Sequence, residues 1–266
     1  FRSTALLFSA VALVSFQICG WTVKERYKGG ADIPADSLMD MVRQVAGALN
    51  NRPFLIFLIA ETIFTAGFYV IQIILPDYNA VILGRGEGFV TVMMIPFLVV
   101  CLPLIFVMQP LVKKWKTRKT YASGMIGFAV CFPFLALIGL MPDHTIHLFG
   151  MSVSLRIVLL LAVVGFAGAP QAVKYVMPGV LIGEIADYDE QRTGKRREAL
   201  YSGALGFGLK SAMVLSAVIR ELVYRPFGEF SVSNPAPVLL IGPVTTVICL
   251  IVFFVFLRYP DLQKDA

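Results

Sequence analysis

Three ionisable side chains lie deep inside apolar runs of this sequence: Glu61, Lys174 and Lys210. A charge at the centre of such a run costs at least about 3 kcal/mol on membrane-insertion scales, so these residues should face a bundle interior or a wet cavity. Lys210 stands about 11 residues, roughly 16 Å, into its run. Lys174 lies about ten residues, roughly 15 Å, before Glu184. Pro170 and Pro178 flank it, and prolines at this depth loosen a helix where backbone can line a cavity. Glu61 is the only acid at comparable depth, about seven residues or roughly 10–11 Å into its run. It is the natural counter-charge for Lys210 or Lys174. Such a pair is either a static bridge or a switch that responds to protons or cations.

A second constellation lies in the stretch from Leu181 to Lys210, the densest mixed-charge segment of the chain. Glu184, Asp187 and Glu190 recur every third residue and share one helical face. Arg196 and Glu198 follow a break at Thr193-Gly194. A cluster of this kind at a membrane surface can pair across an interface and hold one conformation shut. Gly203, Gly206 and Gly208 precede Lys210 and should let a neighbouring helix come close.

Other chemistry finds little support. Cys19, Cys101, Cys131 and Cys249 all fall in apolar runs without ligand-like spacing and read as small hydrophobes in a membrane core. His144 and His147 read as surface residues of an outer loop, and no metal site is expected. There is no nucleophile–base pair and no phosphate loop, so the expectation is a protein that is not an enzyme and carries no resident cofactor. A receptor or retinal protein fits poorly, because a retinal lysine belongs on the last span and Lys210 lies on the sixth.

The elements that must position these residues are transmembrane helices. Hydrophobic residues make up 58% and charged residues 15% of the 266, against about a quarter charged in soluble domains. Mean hydropathy is +0.78. Seven spans are expected: Thr4 to Trp21, Phe54 to about Asp77, Phe89 to Val112, Tyr121 to Met141, Leu155 to about Ile182, Ala199 to Val223, and Pro237 to Leu257. Each approaches the roughly 20 residues that cross a bilayer. Between the first two spans, Ser37 to Leu49 has helical apolar spacing with Ser37 as N-cap, and predicts a short amphipathic helix on the membrane surface. Asn51-Arg52-Pro53 then opens the next span, with Pro53 in the first turn, where proline is tolerated.

The net charge of +6 is not a nucleic-acid signature, because the bases sit in short loops between spans. Lys24, Arg26, Lys28, Arg43 and Arg52, the run Lys113 to Lys119, and Arg192, Lys195, Arg196 and Arg197 fall on one side, with Arg258 and Lys264. The other side holds only Arg2, Arg85, Arg156, Arg220 and Arg225. The richer side should be cytoplasmic, with the N-terminus outside and the C-terminus inside. The run Lys113 to Lys119 reads as a membrane anchor that meets lipid headgroups.

The segment Gly183 to Ser202, G-E-I-A-D-Y-D-E-Q-R-T-G-K-R-R-E-A-L-Y-S, with a lysine 23 residues beyond Asp187, resembles the loop between spans ten and eleven of the glycoside–pentoside–hexuronide:cation symporters. These are major facilitator proteins. The likeness extends to K-E-R-Y at Lys24, N-R-P-F at Asn51 and R-Y-P at Arg258. It implies an all-α membrane fold in which residues 1–22 form the last helix of an N-terminal half. Residues 23–53 would then be a cytoplasmic linker, and 54–266 the six-helix C-terminal half. The rest of the N-terminal half would lie in the same or another chain. The likeness further implies a bacterial inner-membrane transporter that moves a sugar or sugar-like solute by symport with Na⁺ or H⁺. Lys210 matches the family's span-eleven lysine near the solute and cation. Glu184, Asp187, Glu190 and Arg196 match its cytoplasmic charge network, with Glu184 in place of the usual aspartate. Lysolipid transporters of the same branch share the span-eleven lysine, so an amphiphile is the alternative cargo. A non-transporting membrane subunit is the other alternative.

Overall fold

The structure is a computed structural model that describes residues 2–22, 47–86, 88–148, 151–194, 196–228 and 230–262. Seven helices among them are long and apolar enough to cross a membrane. They are α1 (Arg2–Thr22), α2 (Arg52–Leu83), α3 (Phe89–Trp115), α4 (Thr117–Leu140), α5 (Leu155–Thr193), α6 (Glu198–Tyr224) and α7 (Ala236–Phe256). Their order matches the seven expected spans. The chain divides into two units, Phe1–Val42 and Arg43–Ala266. In the first, α1 is a single 21-residue helix. The expected amphipathic helix lies outside the described residues, except for 47–49, which are helical.

In the second unit the helices run alternately up and down. The basic end carries the turns between α3 and α4 and between α5 and α6, together with the segment after α7. The opposite end carries a feature not expected from the sequence, a hairpin of β1 (Thr145–Leu148) and β2 (Met151–Ser154). The strands pair antiparallel, with Thr145 opposite Ser154 and Leu148 opposite Met151. The hairpin leads directly into α5, and His147 Nδ1 lies 3.1 Å from the Ser152 hydroxyl.

Packing is pairwise. The helix α2 lies against α6 and α7, α4 against α5 and α7, and α3 against α5. The core near the basic end is aromatic: Phe54, Phe57, Phe64, Tyr121, Phe128 and Phe256 are all fully buried. A second core, toward the hairpin end, gathers Val70, Ile74, Tyr78, Met93, Leu160 and Ile241.

Two helices run past their apolar stretches. The 39 residues of α5 continue beyond Ile182 through the whole acidic segment to Thr193, where Gly194 takes φ +69° and ends the helix. A left-handed φ of this kind suits glycine and lets the chain turn sharply into α6. The helix α2 continues past Pro76 to Leu83. Its start is capped by Asn51, whose side chain accepts from the Phe54 amide, with proline in the first turn.

Candidate functional site

The helix α2 buries Phe57, Ala60, Glu61, Phe64, Thr65 and Phe68, the three-and-four spacing of one helical face. Glu61 is therefore placed on the core-facing side, only 2% exposed. Across the bundle α5 offers Lys174, whose side chain is 9% exposed. The two meet: Lys174 Nζ is 2.6 Å from Glu61 Oε1 and donates to Thr65 Oγ1 at 2.7 Å. The Thr65 hydroxyl in turn donates to Glu61 Oε1 at 3.2 Å. The Tyr121 hydroxyl of α4 donates to the other carboxylate oxygen, Oε2. The ammonium stands 5.0 Å from the centre of the Phe64 ring, within cation–π range.

This arrangement answers the main physical objection to a buried charge. Two ions taken from water carry a desolvation penalty of several kcal/mol each, offset only when the geometry is good and the remaining lone pairs are satisfied. Here one carboxylate receives an ammonium, a threonine and a tyrosine. Tyr121 is itself held in place by edge-on rings at Phe57, Phe64 and Phe256. Glu61, left open between two lysines in the sequence, pairs with Lys174. Three helices, α2, α4 and α5, converge on that pair.

Lys174 also sits at a weak point of α5. Pro178 has no amide hydrogen to give to the Lys174 carbonyl, and Pro170 has none for Phe166. The helix thus lacks a rung on either side of its one deep cation.

Lys210 is placed differently. The helix α6 packs on α2 through Tyr201, Leu205, Gly208, Ala212 and Ser216. A Cβ at Gly208 would fall 2.6 Å from Thr62 Oγ1 and 2.9 Å from Leu58 Cδ1, so this glycine permits the close approach. Gly203 and Gly206, expected to do the same, face open space. They share the exposed side of α6 with Lys210, about 200° around the helix from Gly208. Lys210 makes no hydrogen bond or ion pair among the described residues.

At the basic end the expected charge network divides in two. Arg196 gathers three acids: Asp187 at 3.0 Å, Glu190 at 3.2 Å and Glu198 at 3.2 Å. All four side chains are about half exposed. The Glu198 hydrogen bond, followed by the Asp187 charge, pushes the Arg196 guanidinium above its already high range, so it stays charged at any physiological pH. Glu184 does not join them. It accepts from Thr117 at the start of α4.

The stronger junction here was not singled out from the sequence. Arg197 grips Asp189 with two hydrogen bonds, 2.7 Å from Nε and 2.6 Å from Nη2. The Asp189 side chain is only 6% exposed. That hydrogen bond, against opposing desolvation, raises the Arg197 pKa further. Beside it Asn51 donates to the Tyr201 hydroxyl at 3.0 Å, which ties the start of α2 to α6. The signal for Asp189 was available. It follows Leu181, Ile182, Ile185 and Ala186 on the buried face of α5, one turn beyond the last apolar member.

Two further ties frame the bundle. At the basic end Lys116 bridges Asp261 at 3.1 Å and Arg118 donates to the Leu257 carbonyl, so the basic turn also holds the segment after α7. At the hairpin end Arg220 of α6 bridges Asp77 of α2 at 3.1 Å, and Tyr224 donates to the same carboxylate. Among the described residues no three or more His, Cys, Asp or Glu side chains gather as a metal-binding cluster.

Comparison with known proteins agrees with this architecture. A stretch of 141 residues is 28% identical to the Bacillus subtilis (strain 168) protein named "Uncharacterized symporter YnaJ". The match covers 52% of this chain and 28% of that protein, so the chain accounts for little more than a quarter of the relative's length. No solved structure matches. The family model described as "MFS/sugar transport protein" matches residues 1–260, nearly the whole chain. With seven membrane-spanning helices and this match, the chain is an integral membrane protein that belongs to the MFS/sugar transport protein family.

Proposed function

We propose that this chain is part of a secondary active transporter that carries a sugar or sugar-like solute by alternating access, in symport with Na⁺ or H⁺. The observation that carries the reading is the buried Glu61–Lys174 pair, set where two prolines each leave α5 one hydrogen bond short. Charged residues at mid-depth in a membrane bundle mark substrate and ion pathways, and this pair would mark the part of the bundle that changes state rather than the place where the coupling ion binds. A helix missing hydrogen bonds beside it can bend as the bundle changes state. The family match supports transport, and the relative carries symporter in its name.

Lys210 has a complementary role in this proposal. Its cation lies at mid-depth on an open, glycine-bearing face of α6 and requires a counter-charge from helices beyond the described residues, in this chain or another. Solute and coupling ion would meet between that face and those helices. The Arg196 cluster and the Asp189–Arg197 junction would sit on the cytoplasmic side of a bacterial inner membrane, where they restrain the α5–α6 turn.

One observation favours a less polar cargo. A cavity of about 260 Å³ opens between α2, α3, α4 and α5, lined by Phe68, Phe97, Phe128, Phe132 and other apolar side chains, with Gln72 its one amide. Such a lining suits a lysolipid or another amphiphile better than a bare sugar.

The test is uptake by the reconstituted protein, with glycosides, acidic sugars and lysolipids supplied under separate sodium and proton gradients. Sugar accumulation that depends on one gradient, and is abolished by Lys210→Ala while the variant still inserts, is the expected result. Lysolipid movement alone would move the assignment to the amphiphile reading. Absence of transport by a folded sample would point to a non-transporting subunit.

A further inference from the structure

We propose that Glu61 and Thr65 form a site for a monovalent cation that the chain fills with its own Lys174 ammonium, and that becomes a sodium site when the lysine is removed. The ammonium nitrogen occupies the position a bound ion would take. It lies 2.6 Å from a carboxylate oxygen and 2.7 Å from a hydroxyl oxygen, over the face of an aromatic ring. Each of these groups attracts a positive charge without requiring N–H geometry. Oxygen donors are what a hard metal cation takes.

The site is held from several directions. Tyr121 fixes one carboxylate oxygen, so the other stays aimed at the cation position. Thr65, one turn along α2 from Glu61, is 2% exposed and shares the same oxygen. Truncation of the lysine to alanine removes three methylenes and an ammonium from this place. That leaves room for an ion and water beside groups polar enough to hold them. It also leaves a buried carboxylate with no counter-charge, the condition under which recruitment of a cation is most favourable.

In the native protein the consequence is specific. The Glu61 carboxylate is already neutralised by a tethered cation, so sodium has no place there, and any sodium that drives transport binds elsewhere. The inference concerns binding rather than transport. It would stand for a chain that moved no solute, and its failure would leave the transport reading untouched.

The experiment is thermal unfolding of the purified protein in sodium chloride and in choline chloride at equal ionic strength. The native protein should melt at the same temperature in both. Lys174→Ala should melt several degrees higher in sodium, or be recovered folded only in sodium, since a ligand that binds only the folded state raises its stability. Glu61→Gln combined with Lys174→Ala should lose that response. A Lys174→Ala protein that behaves alike in both salts, folded or unfolded, overturns the proposal. An independent measurement uses the bulk-conserving pair Glu61→Gln with Lys174→Met. Radiolabelled sodium should bind this variant and the native protein equally. Loss of sodium binding in the variant would show that the native site already takes sodium, and would overturn the proposal as well.

Discussion

The chain builds two ion clusters with similar chemistry and opposite surroundings. At mid-depth, Glu61 and Lys174 are almost wholly enclosed, and every partner of the carboxylate comes from a different turn or helix. At the basic end, Arg196 faces Asp187, Glu190 and Glu198 with all four side chains about half in solvent. The second cluster has more charges and more ion pairs, yet it should matter less to folding. Exposed pairs gain little Coulomb energy in water and are screened by salt. A buried ion deprived of its partner has no solvent to fall back on. The number of ion pairs is therefore a poor guide to which charges hold this bundle together, and enclosure is a better one. The Asp189–Arg197 junction lies between the extremes, with one partner buried and the other about a quarter exposed.

This ranking can be broken by substitution, and the largest effect should come from Lys174→Met. Loss of one partner of the enclosed pair should destabilise the protein by about 3–5 kcal/mol, seen as a large drop in the unfolding temperature in choline salt. A drop no larger than that of a surface variant would place the pair in a wetter environment than the structure shows. Next comes Asp189→Asn, which removes the acceptor charge from the two-pronged Arg197 grip and should cost about 1.5–3 kcal/mol, the range for hydrogen bonds to charged groups. Because the junction closes the α5–α6 turn, hydrogen exchange should rise first in residues 186–201. Uniform exchange across the chain would deny it a local role.

Tyr121→Phe should cost about 1.5 kcal/mol, the lower part of the same range, because Lys174 and Thr65 still hold the carboxylate. Its signature is specificity: the loss should vanish in a Glu61→Leu background, where no acceptor remains for the hydroxyl. A cost that persists there would assign Tyr121 to aromatic packing alone. The smallest effect belongs to Arg196→Ala, which should leave the unfolding temperature unchanged at moderate salt. Its effect, if the cluster restrains a conformation, should appear as altered labelling of a cysteine placed in the α5–α6 turn. A clear loss of stability would contradict the comparison.

Much of the fold was legible in the sequence because a bilayer imposes a simple rule on it. Seven apolar runs became seven helices, and Asn51-Arg52-Pro53 opened α2 as its chemistry requires. Hydropathy tracks the membrane, however, and not the helix. It therefore ended α5 near Ile182, while the helix continues through its acidic segment to Thr193. It ended α2 near Asp77, where a carboxylate paired to Arg220 lets the helix go on to Leu83. The hairpin at Thr145–Ser154 carried no strand signal strong enough to stand out beside two histidines. The candidate site was legible as to its members and not as to its pairing. Depth identified Glu61, Lys174 and Lys210, but which lysine meets the glutamate depends on which helices are neighbours. Glycine spacing was likewise ambiguous. Of the three glycines before Lys210, only Gly208 lies on the packed face. Asp189 carries a charge yet continues the buried face of α5, so residue type alone is a poor guide to its place.

The measurement that bears most directly on this account is a double-mutant cycle on unfolding, with Glu61→Gln, Lys174→Met and the two combined, in choline salt. A pair that acts as one enclosed unit predicts that each single change costs several times more than a surface substitution, and that the double variant recovers most of the loss. Costs that simply add, with the double variant the least stable of the three, would show that Glu61 and Lys174 act independently and would contradict it.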